Sequence, residues 1–285
     1  MAHPFVKWVG GKRALMSELM AHLPPQFDPQ VNSYYEPFLG GGALFFALQS
    51  GQWHKTSSWL IKANLSDTNL PLIITYQVVK QQPQNLITRL KEHQANHSLE
   101  YYYQIRNHHD LNSDLEIAAR FIYLNKTCYN GLYRVNNQGR FNVPIGRYKD
   151  TSAIVQTENI LACSQALNVT SLDHQEFNQI KPKAGDFVYF DPPYHPLEQE
   201  ASAKSFTKYA KLDFTQKDQE ALRDFAIELH QNGIYVMISN SDTQFIRDLY
   251  DTEFFKIKPV FAPRFINSKA NKRGKVGEIL ICNYL

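Results

Sequence analysis

The chain has 285 residues, 43% hydrophobic and 20% charged, which suits one large globular domain or one domain carrying an insertion. Its net charge of +3 leaves any attraction to nucleic acid to local basic patches. No apolar run reaches the roughly 18 residues of a membrane span, the N-terminus lacks a signal-peptide core, and three scattered cysteines form no disulfide or zinc pattern, so we expect a cytoplasmic protein without a metal.

The first 67 residues have an α/β pattern. The segment "RALMSELMAHL" has helical spacing and is ended by Pro24 and Pro25. A short strand, a glycine-rich turn and an apolar helix follow in "SYYEPFLGGGALFFALQSG". A second strand, in "SSWLIKANLSDTN", ends at Asp67.

The next part of the chain is polar and helix-patterned, from about residue 70 to about residue 125. After it, "LYRV" and "RFNVPI" flank "NNQG", which predicts two strands joined by a turn that contains glycine. We interpret residues 69–154 as an insert that combines helices with this β-hairpin.

The α/β alternation resumes after about residue 151. Strands are predicted in "ALNVTSLD", "DFVYF" and "IYVMISNS", and a Thr-capped amphipathic helix in "TQKDQEALRDFAIELHQNG". The strands "FFKIKPVF" and "VGEILICNYL" are expected to pair antiparallel. Residues 1–68 and 155–285 are therefore predicted to form one discontinuous α/β domain with a doubly wound sheet.

The glycine-rich turn "EPFLGGGALF" offers part of a dinucleotide fingerprint through Gly40 and Gly42. Its third position is Phe45 instead of glycine, which disfavours a pyrophosphate-bearing dinucleotide but permits a nucleoside without phosphates. Asp67 lies 25 positions after Gly42, at the end of the next strand, where an acidic residue would bind ribose hydroxyls. Asp67 favours this interpretation over a purely structural turn.

The segment "VGGKRAL" does not form a phosphate-binding loop, because Val6 replaces the leading glycine and Arg13 follows Lys12. Lys12 could still reach a carboxylate, and Trp8 could cover a flat ring. A helix cap and a buried tryptophan explain these residues equally well.

The segment "DFVYFDPPYHPL" runs a buried strand into two prolines, which stop the strand and stiffen the turn after it. The Asp191 carboxylate and the Pro192 carbonyl could accept the two protons of an exocyclic amine and direct its lone pair at an electrophile. Tyr194 could stack on the base, which would have to be flipped out of a duplex. The alternative is a strand-end aspartate that caps a turn.

Seven blocks of the chain resemble, in the same order, those of the Dam-like (alpha) group of D12-class DNA adenine-N6 methyltransferases, and they span almost the whole sequence. The blocks are "FVKWVGGKRALM", "YYEPFLGGGALFF", "LSDTN", "YNGLYRVNNQGRFNVPIGRY", "FDPPYHPL", "SFTKY" and "VMISNSDT". The resemblance implies a Rossmann-like sheet that binds S-adenosylmethionine (SAM), a nucleoside without phosphate, and no metal. It also implies direct in-line methyl transfer without a covalent enzyme intermediate.

The resemblance assigns residues to the two ligands. It implies a SAM pocket of Trp8, Lys12, Phe38, Gly40, Gly42, Asp67 and Asp191. Asp191, Pro192 and Tyr194 would hold the amine and ring of adenine. Asp191 either removes a proton or only accepts a hydrogen bond, and we favour the second.

Residues 69–154 would then be the target-recognition domain. Arg134 on the hairpin suits bidentate contact with guanine, and Leu132 suits the thymine methyl. The other implied DNA contacts are Lys7, Tyr129, Asn130, Pro144 and Tyr148, with Lys272 and Arg273 as a phosphate clamp. Hairpin packing or a solvated loop is the alternative for each.

We therefore predict a site-specific adenine-N6 methyltransferase of double-stranded DNA, with GATC as the expected site. The alternatives are a SAM-dependent RNA or protein-amide methyltransferase, which the base-reading hairpin disfavours, and an inactive DNA-binding module, which the intact motifs disfavour. The enzyme could share its site with a cognate restriction endonuclease or act as an orphan. A monomer suffices, because each event flips one base.

Overall fold

The computed structural model describes residues 1–50, 60, 62–147, 152–196, 214–262 and 276–285. Within these residues it contains a seven-stranded sheet and α-helices, which confirms the predicted α/β class. The strands are β1 Tyr34–Glu36, β2 Ala63–Asp67, β3 Thr170–His174, β4 Phe187–Phe190, β5 Tyr235–Ser241, β6 Lys256–Ala262 and β7 Val276–Cys282. Their order across the sheet is β3-β2-β1-β4-β5-β7-β6.

The centre of the sheet is the parallel strand β4. Phe187 of β4 pairs with Tyr34 of β1 on one side and with Tyr235 of β5 on the other. All four β4 residues are buried, as expected for a parallel strand covered on both faces. The strand order reverses between β1 and β4, and ligands of doubly wound sheets bind beyond the carboxyl ends of the strands at such a point.

The predicted antiparallel pairing of the last two strands is confirmed. β7 lies between β5 and β6 and is antiparallel to both, with Glu278 opposite Ser241 on one side and opposite Val260 on the other. Because β7 is paired along both edges, the position of Glu278 relative to the end of β5 is set by backbone hydrogen bonds.

The described residues contain nine α-helices. They are α1 Met16–Ala21, α2 Ala43–Gln49, α3 Leu70–Gln81, α4 Pro83–Ala95, α5 Leu99–Asn107, α6 Asp114–Thr127, α7 Thr157–Ala166, α8 Gln216–Gln231 and α9 Gln244–Tyr250. The predicted cap of α8 is confirmed, because the Thr215 side chain accepts a hydrogen bond from the N–H of Asp218. Across the described ranges, every helix is too short or too polar to cross a bilayer.

The chain divides into two compact units. The first comprises Met1–Lys12, Gly40–Trp59 and Ser66–His174, and part of its core is a cluster around Tyr102 and Tyr123. The second comprises Arg13–Leu39, Leu60–Leu65 and Gln175–Leu285, with a core from β4, β5, β7, α8 and α9. Residues 69–154 fall within the first unit, and their assignment as a DNA-recognition domain stays a prediction.

The hairpin around "NNQG" is shorter than the sequence predicts. The turn is present, but two isolated antiparallel bridges, Val135 with Phe141 and Cys128 with Ile145, replace the regular ladder expected beside it. The side-chain oxygen of Asn136 accepts hydrogen bonds from the N–H groups of Gln138 and Arg140, each at 3.0 Å. Such local bonding competes with strand pairing, which explains the reduced ladder.

A buried histidine joins three helices of the first unit. Nδ1 of His93 in α4 lies 2.8 Å from the hydroxyl of Tyr101 in α5, and its ring stacks on Tyr123 of α6 with centroids 4.9 Å apart. Burial, with a smaller contribution from the Arg89 guanidinium, lowers the pKa of His93 to about 4. The imidazole is therefore neutral at neutral pH, and protonating it opposes folding.

We expect the free energy of unfolding to decrease as the pH falls from 6.5, the ordinary pKa of histidine, towards about 4, the pKa of His93 in the folded chain. Between these two pH values the unfolded chain binds a proton that the folded chain does not bind. Up to about 3 kcal/mol of the free energy of unfolding is therefore lost as the pH falls. Urea denaturation across the interval measures the slope. His93→Phe, which still stacks but does not titrate, should flatten the slope, whereas His108→Phe at an exposed position should keep it. A wild-type slope in His93→Phe would contradict this assignment.

Candidate functional site

The first unit brings the glycine-rich turn against Asp67, as the sequence predicts. The N–H of Gly40 donates to Oδ2 of Asp67 at 2.9 Å, and the N–H of Asn69 donates to Oδ1 at 2.9 Å. Gly40 and Gly42 have positive φ angles of 47° and 63°, which L-residues rarely adopt, and Gly42 is the N-cap of α2. The turn is therefore anchored to the carboxyl end of β2.

Two opposing effects act on the Asp67 carboxyl group. Burial raises its pKa, while hydrogen bonds from the backbone N–H groups of Gly40 and Asn69 lower it. Each carboxylate oxygen has a second lone pair, so Asp67 can accept hydrogen bonds from the ribose hydroxyls of a nucleoside while it holds the turn.

Trp8 lies against the same turn. A Cβ atom added to Gly40 would stand 2.6 Å from two ring atoms of Trp8, so the ring touches the glycine backbone directly. The Trp8 ring also stacks with the Tyr133 ring, with centroids 5.9 Å apart, and with the Phe121 ring at 6.5 Å. Tyr76, which sequence reasoning missed, donates its hydroxyl to the Gly40 carbonyl at 3.1 Å. Its place in α3 gave no sequence signal for this contact.

Lys12 is almost fully buried and donates from Nζ to the carbonyl of Gly10 at 2.6 Å. The two alternatives considered for it, a helix cap and a carboxylate ligand, are both compatible with this position at the start of a 3-10 helix. Its role in SAM binding stays a prediction.

In the second unit, the turn at residues 191–194 follows β4 directly and is held by buried polar side chains. Gln219 of α8 donates to the Pro193 carbonyl at 2.9 Å. Asn240 of β5 accepts from the N–H of His195 at 3.1 Å, and Ser241 donates to the His195 carbonyl at 2.6 Å. The backbone is thus bound on both sides of Tyr194.

Sequence reasoning missed these supporting residues. Asn240 and Ser241 lie in the quoted block "VMISNSDT", so polar residues in a buried strand were the available signal. Gln219 had no signal, because a glutamine on an amphipathic helix is usually exposed. Here it is buried and also accepts a hydrogen bond from Asn240 at 3.0 Å.

The tyrosines near Asp191 remain protonated. Burial is the main cause that raises the pKa of Tyr194, and the Asp191 carboxylate adds to it. Burial is also the main cause that raises the pKa of the fully buried Tyr34 and Tyr189, followed by Glu36 for Tyr34 and by Asp191 for Tyr189. These hydroxyls are neutral donors, and the Tyr194 hydroxyl donates to Oε2 of Glu278 at 2.8 Å.

Phe38 also belongs to the second unit and forms an aromatic cluster. Its ring stacks on Phe177 with centroids 5.5 Å apart and meets Phe190 and Phe214 edge-on at 6.3 and 5.6 Å. Phe38 is only partly buried, which leaves part of the ring available to a ligand.

In the first unit, Asn125 joins Lys7 to the short turn Tyr129–Gly131. Its side chain accepts from the N–H of Lys7 at 2.7 Å and donates to the carbonyls of Lys7 and Gly131 at 2.8 and 3.1 Å. Asn130 has a φ of 55°, the only positive value at a non-glycine position among the described residues. Tyr129, one of the implied DNA contacts, is 52% exposed.

The hairpin residues are held by neighbouring polar groups. Nε of Arg134 donates to Oδ1 of Asn142 at 2.7 Å, which fixes the guanidinium beside the other arm of the hairpin. The Leu132 carbonyl accepts from the Cys128 thiol at 3.3 Å, and the Pro144 carbonyl accepts from the Tyr129 N–H at 2.9 Å. Tyr148, Lys272 and Arg273 lie outside the described residues.

The comparisons with known proteins identify the family. The model of the D12 class N6 adenine-specific DNA methyltransferases matches residues 8–264. The chain belongs to this class. The Type II methyltransferase M1.LlaDCHI of Lactococcus lactis subsp. cremoris is 40% identical, over 99% of this chain and 95% of its own. M.MjaIII of Methanocaldococcus jannaschii, also a Type II methyltransferase, is 39% identical over 99% of both chains.

A third relative of this D12-class enzyme is the DNA adenine methylase of Escherichia coli strain K12, 33% identical over 97% of this chain and 93% of its own. The enzyme is accordingly an adenine-specific DNA methyltransferase with DNA as its substrate. The sequence left two alternatives open, an RNA or protein-amide methyltransferase and an inactive DNA-binding module. The family assignment favours neither.

The D12 class implies SAM as the methyl donor, and the residues of this chain fit it. Asp67 has acceptor capacity for a ribose, and the buried Phe45 occupies the position where a pyrophosphate site needs glycine. A nucleoside without phosphate matches both features. Among the described residues, no three His, Cys, Asp or Glu side chains are grouped as for a metal ion.

We expect Gly40→Ala to lower the free energy of unfolding by about 2 kcal/mol or more. The new methyl group would enter the Trp8 ring at 2.6 Å, and its φ of 47° is unfavourable for alanine. Gly41→Ala is the matched control, since its φ is not positive and its added Cβ would lie 3.3 Å from the Cβ of Trp8. Urea denaturation of both variants checks this, and equal losses would show that the Gly40 contact is not special.

Proposed function

We propose that this D12-class enzyme extrudes the adenine of a GATC site from duplex DNA and methylates its N6 amine with SAM. The observation that carries the proposal is the 191–194 turn, which follows a buried strand and has its backbone held by Gln219 and Asn240. It leaves the sheet from β4, at the switch point where ligands of such sheets bind.

In this proposal Asp191 and Pro192 orient the reacting amine. The lone pair of an exocyclic amine is conjugated with the base and is a poor nucleophile. The carboxylate of Asp191 and the carbonyl of Pro192 accept its two protons and favour a pyramidal nitrogen, because both acceptors are preorganised by the prolines. Asp191 acts as an acceptor in the transition state, and the surplus proton passes to water.

Tyr194 provides the stacking surface for the extruded base. Stacking on an aromatic ring contributes about 1–3 kcal/mol, which offsets the few kcal/mol that unstacking and unpairing cost. Because burial raises its pKa, Tyr194 stays neutral and its ring stays attached to Glu278 through the hydroxyl.

The methyl donor is held, in this proposal, by Trp8, Lys12, Phe38, Gly40, Gly42, Asp67 and Asp191. SAM supplies an electrophilic methyl group when it is bound. Asp67 would accept the ribose hydroxyls, Trp8 and Phe38 would offer aromatic surface to the adenosine, and Gly40 would allow close approach of the backbone.

The hairpin reads the target sequence. Arg134, fixed through Nε by Asn142, would bind guanine O6 and N7, and Leu132 would contact the thymine methyl. Further proposed DNA contacts are Lys7, Tyr129, Asn130, Pro144, Tyr148, Lys272 and Arg273. The exposed Tyr129 ring and its neighbour Lys7, joined through Asn125, support a contact surface here.

The biological setting is proposed from the relatives. The two Type II methyltransferases are 40% and 39% identical, against 33% for the adenine methylase. This favours an enzyme that protects DNA from a restriction endonuclease with the same site over an orphan enzyme. We propose that it acts as a monomer in the cytoplasm, since one base is processed per event.

Asp191→Ala should lower kcat for methyl transfer by about 1000-fold or more while binding of a GATC duplex persists, because one preorganised acceptor at the reacting amine is lost. Labelled methyl transfer and fluorescence anisotropy measure the two quantities. Asp224→Ala, at an exposed position of α8, should behave like the wild type. Near-normal turnover of Asp191→Ala would refute the proposed role.

The target is tested by sequencing modified DNA from a methylation-free host that expresses the enzyme, where we expect N6-methyladenine in GATC only. Arg134→Ala should relax discrimination at one base pair by about 1–3 kcal/mol. Arg140→Ala, exposed on the same hairpin, should keep the wild-type choice of site. A different wild-type motif would overturn GATC, and uniformly weaker methylation in Arg134→Ala would make Arg134 a phosphate contact.

A further inference from the structure

Tyr194 is held at three places in the second unit, and the third is its hydroxyl. Gln219 binds the carbonyl of the preceding residue, and Asn240 and Ser241 bind the backbone of the following one. These bonds set the backbone but do not reach the far end of the ring. The hydrogen bond from the Tyr194 hydroxyl to Oε2 of Glu278, at 2.8 Å, anchors that end.

Glu278 is well placed for this task because its strand is paired along both edges. It lies in β7, opposite Ser241 of β5 and opposite Val260 of β6. Ser241 is also the residue that donates to the backbone after Tyr194. Ser241 and Glu278 are opposite each other in β5 and β7. Ser241 holds the backbone after Tyr194, and Glu278 holds the hydroxyl end of its ring.

The bond has the character of a strong hydrogen bond. Donation from a neutral hydroxyl to a carboxylate is charge-assisted and about twice as strong as a bond between neutral groups. Burial, with the Asp191 carboxylate, raises the pKa of Tyr194, so its proton stays on the hydroxyl. The tyrosine therefore keeps the proton that it donates to Glu278.

We propose that Glu278 is a positioning residue for methyl transfer, which fixes the direction in which the Tyr194 ring, on which the extruded adenine stacks, extends from the backbone. The inference rests on the proposed function of Tyr194. A ring immobilised before the base arrives does not have to be ordered during catalysis. Loss of the Tyr194–Glu278 hydrogen bond should therefore lower the rate of the chemical step more than it weakens DNA binding.

A double-mutant cycle tests the proposal with the full chain, a GATC duplex and SAM. Tyr194→Phe keeps the ring and removes the hydroxyl, Glu278→Leu removes the acceptor, and Glu278→Gln keeps a neutral acceptor. We expect kcat to fall about tenfold in Tyr194→Phe and in Glu278→Leu and by less in Glu278→Gln, as for loss of a charge-assisted bond. KM for DNA should change by no more than about twofold. The Tyr194→Phe/Glu278→Leu double variant should be no slower than the slower single variant.

The control is Tyr250→Phe, which removes a buried hydroxyl of α9 that has no hydrogen-bond partner in the described part of the chain. It should have wild-type kcat, and its effect should add to that of Glu278→Leu. Thermal unfolding identifies any variant that is not folded. Should Glu278→Leu fail to fold, Glu278→Gln and Tyr194→Phe complete a cycle that decides the question in the same way.

Tyr194→Ala separates failure of this inference from failure of the proposed function. Wild-type kcat in Tyr194→Ala would overturn the stacking role of Tyr194, and the inference with it. A large loss in Tyr194→Ala, with wild-type kcat in Tyr194→Phe and Glu278→Leu, would overturn the inference alone. Independent, additive losses in the cycle would also overturn it, because they would mean that Glu278 acts on the fold and not through the tyrosine.

Discussion

A proline has no N–H to donate, and this constraint shapes the part of the second unit that follows β4. Pro192 and Pro193 follow Asp191, so the strand ends at Phe190. The 191–194 turn cannot continue the parallel ladder with β1 or β5, and its carbonyls and N–H groups need other partners. A stiff segment with backbone groups to satisfy is thereby left at the switch point of the sheet.

The partners come from side chains that are polar and yet buried. Gln219, Asn240 and Ser241 are each at most 4% exposed, and they bond to the backbone beside the turn and to one another. A buried polar group left unsatisfied would cost about 1–3 kcal/mol, so removing one member of such a network also destabilises the others. The same network that stabilises the fold therefore also holds the backbone on both sides of Tyr194.

The first unit follows the same principle with a carboxylate. Asp67 accepts the N–H groups of Gly40 and Asn69, and the Trp8 ring packs directly against Gly40. Asn125 links the segment of Lys7 to the turn at Gly131 in a comparable way. In each case one polar side chain at the end of an element aligns two loops that are far apart in the sequence. Loops aligned by rigid elements are where ligand-binding residues are usually found.

Local signals in the sequence were sufficient to predict most of the strands, the start of α8 and the turn after β4. Apolar runs identified the strands, the Thr215 cap identified the start of α8, and paired prolines identified the turn after β4. The hairpin was predicted with too much regular strand, because local bonding by Asn136 competes with pairing. Gln219, Tyr76 and Glu278 were missed, since each is an ordinary residue for its own helix or strand.

The sequence by itself determined the α/β class, the glycine turn with its acidic partner and the family blocks, because these depend on residue types at short, set spacings. Only the tertiary structure decided that Glu278 holds Tyr194 and that Gln219 holds the carbonyl before it. Glu278 lies 84 positions from Tyr194. Contacts over such distances depend on which strands become neighbours and in which register, and backbone pairing across the whole sheet sets this.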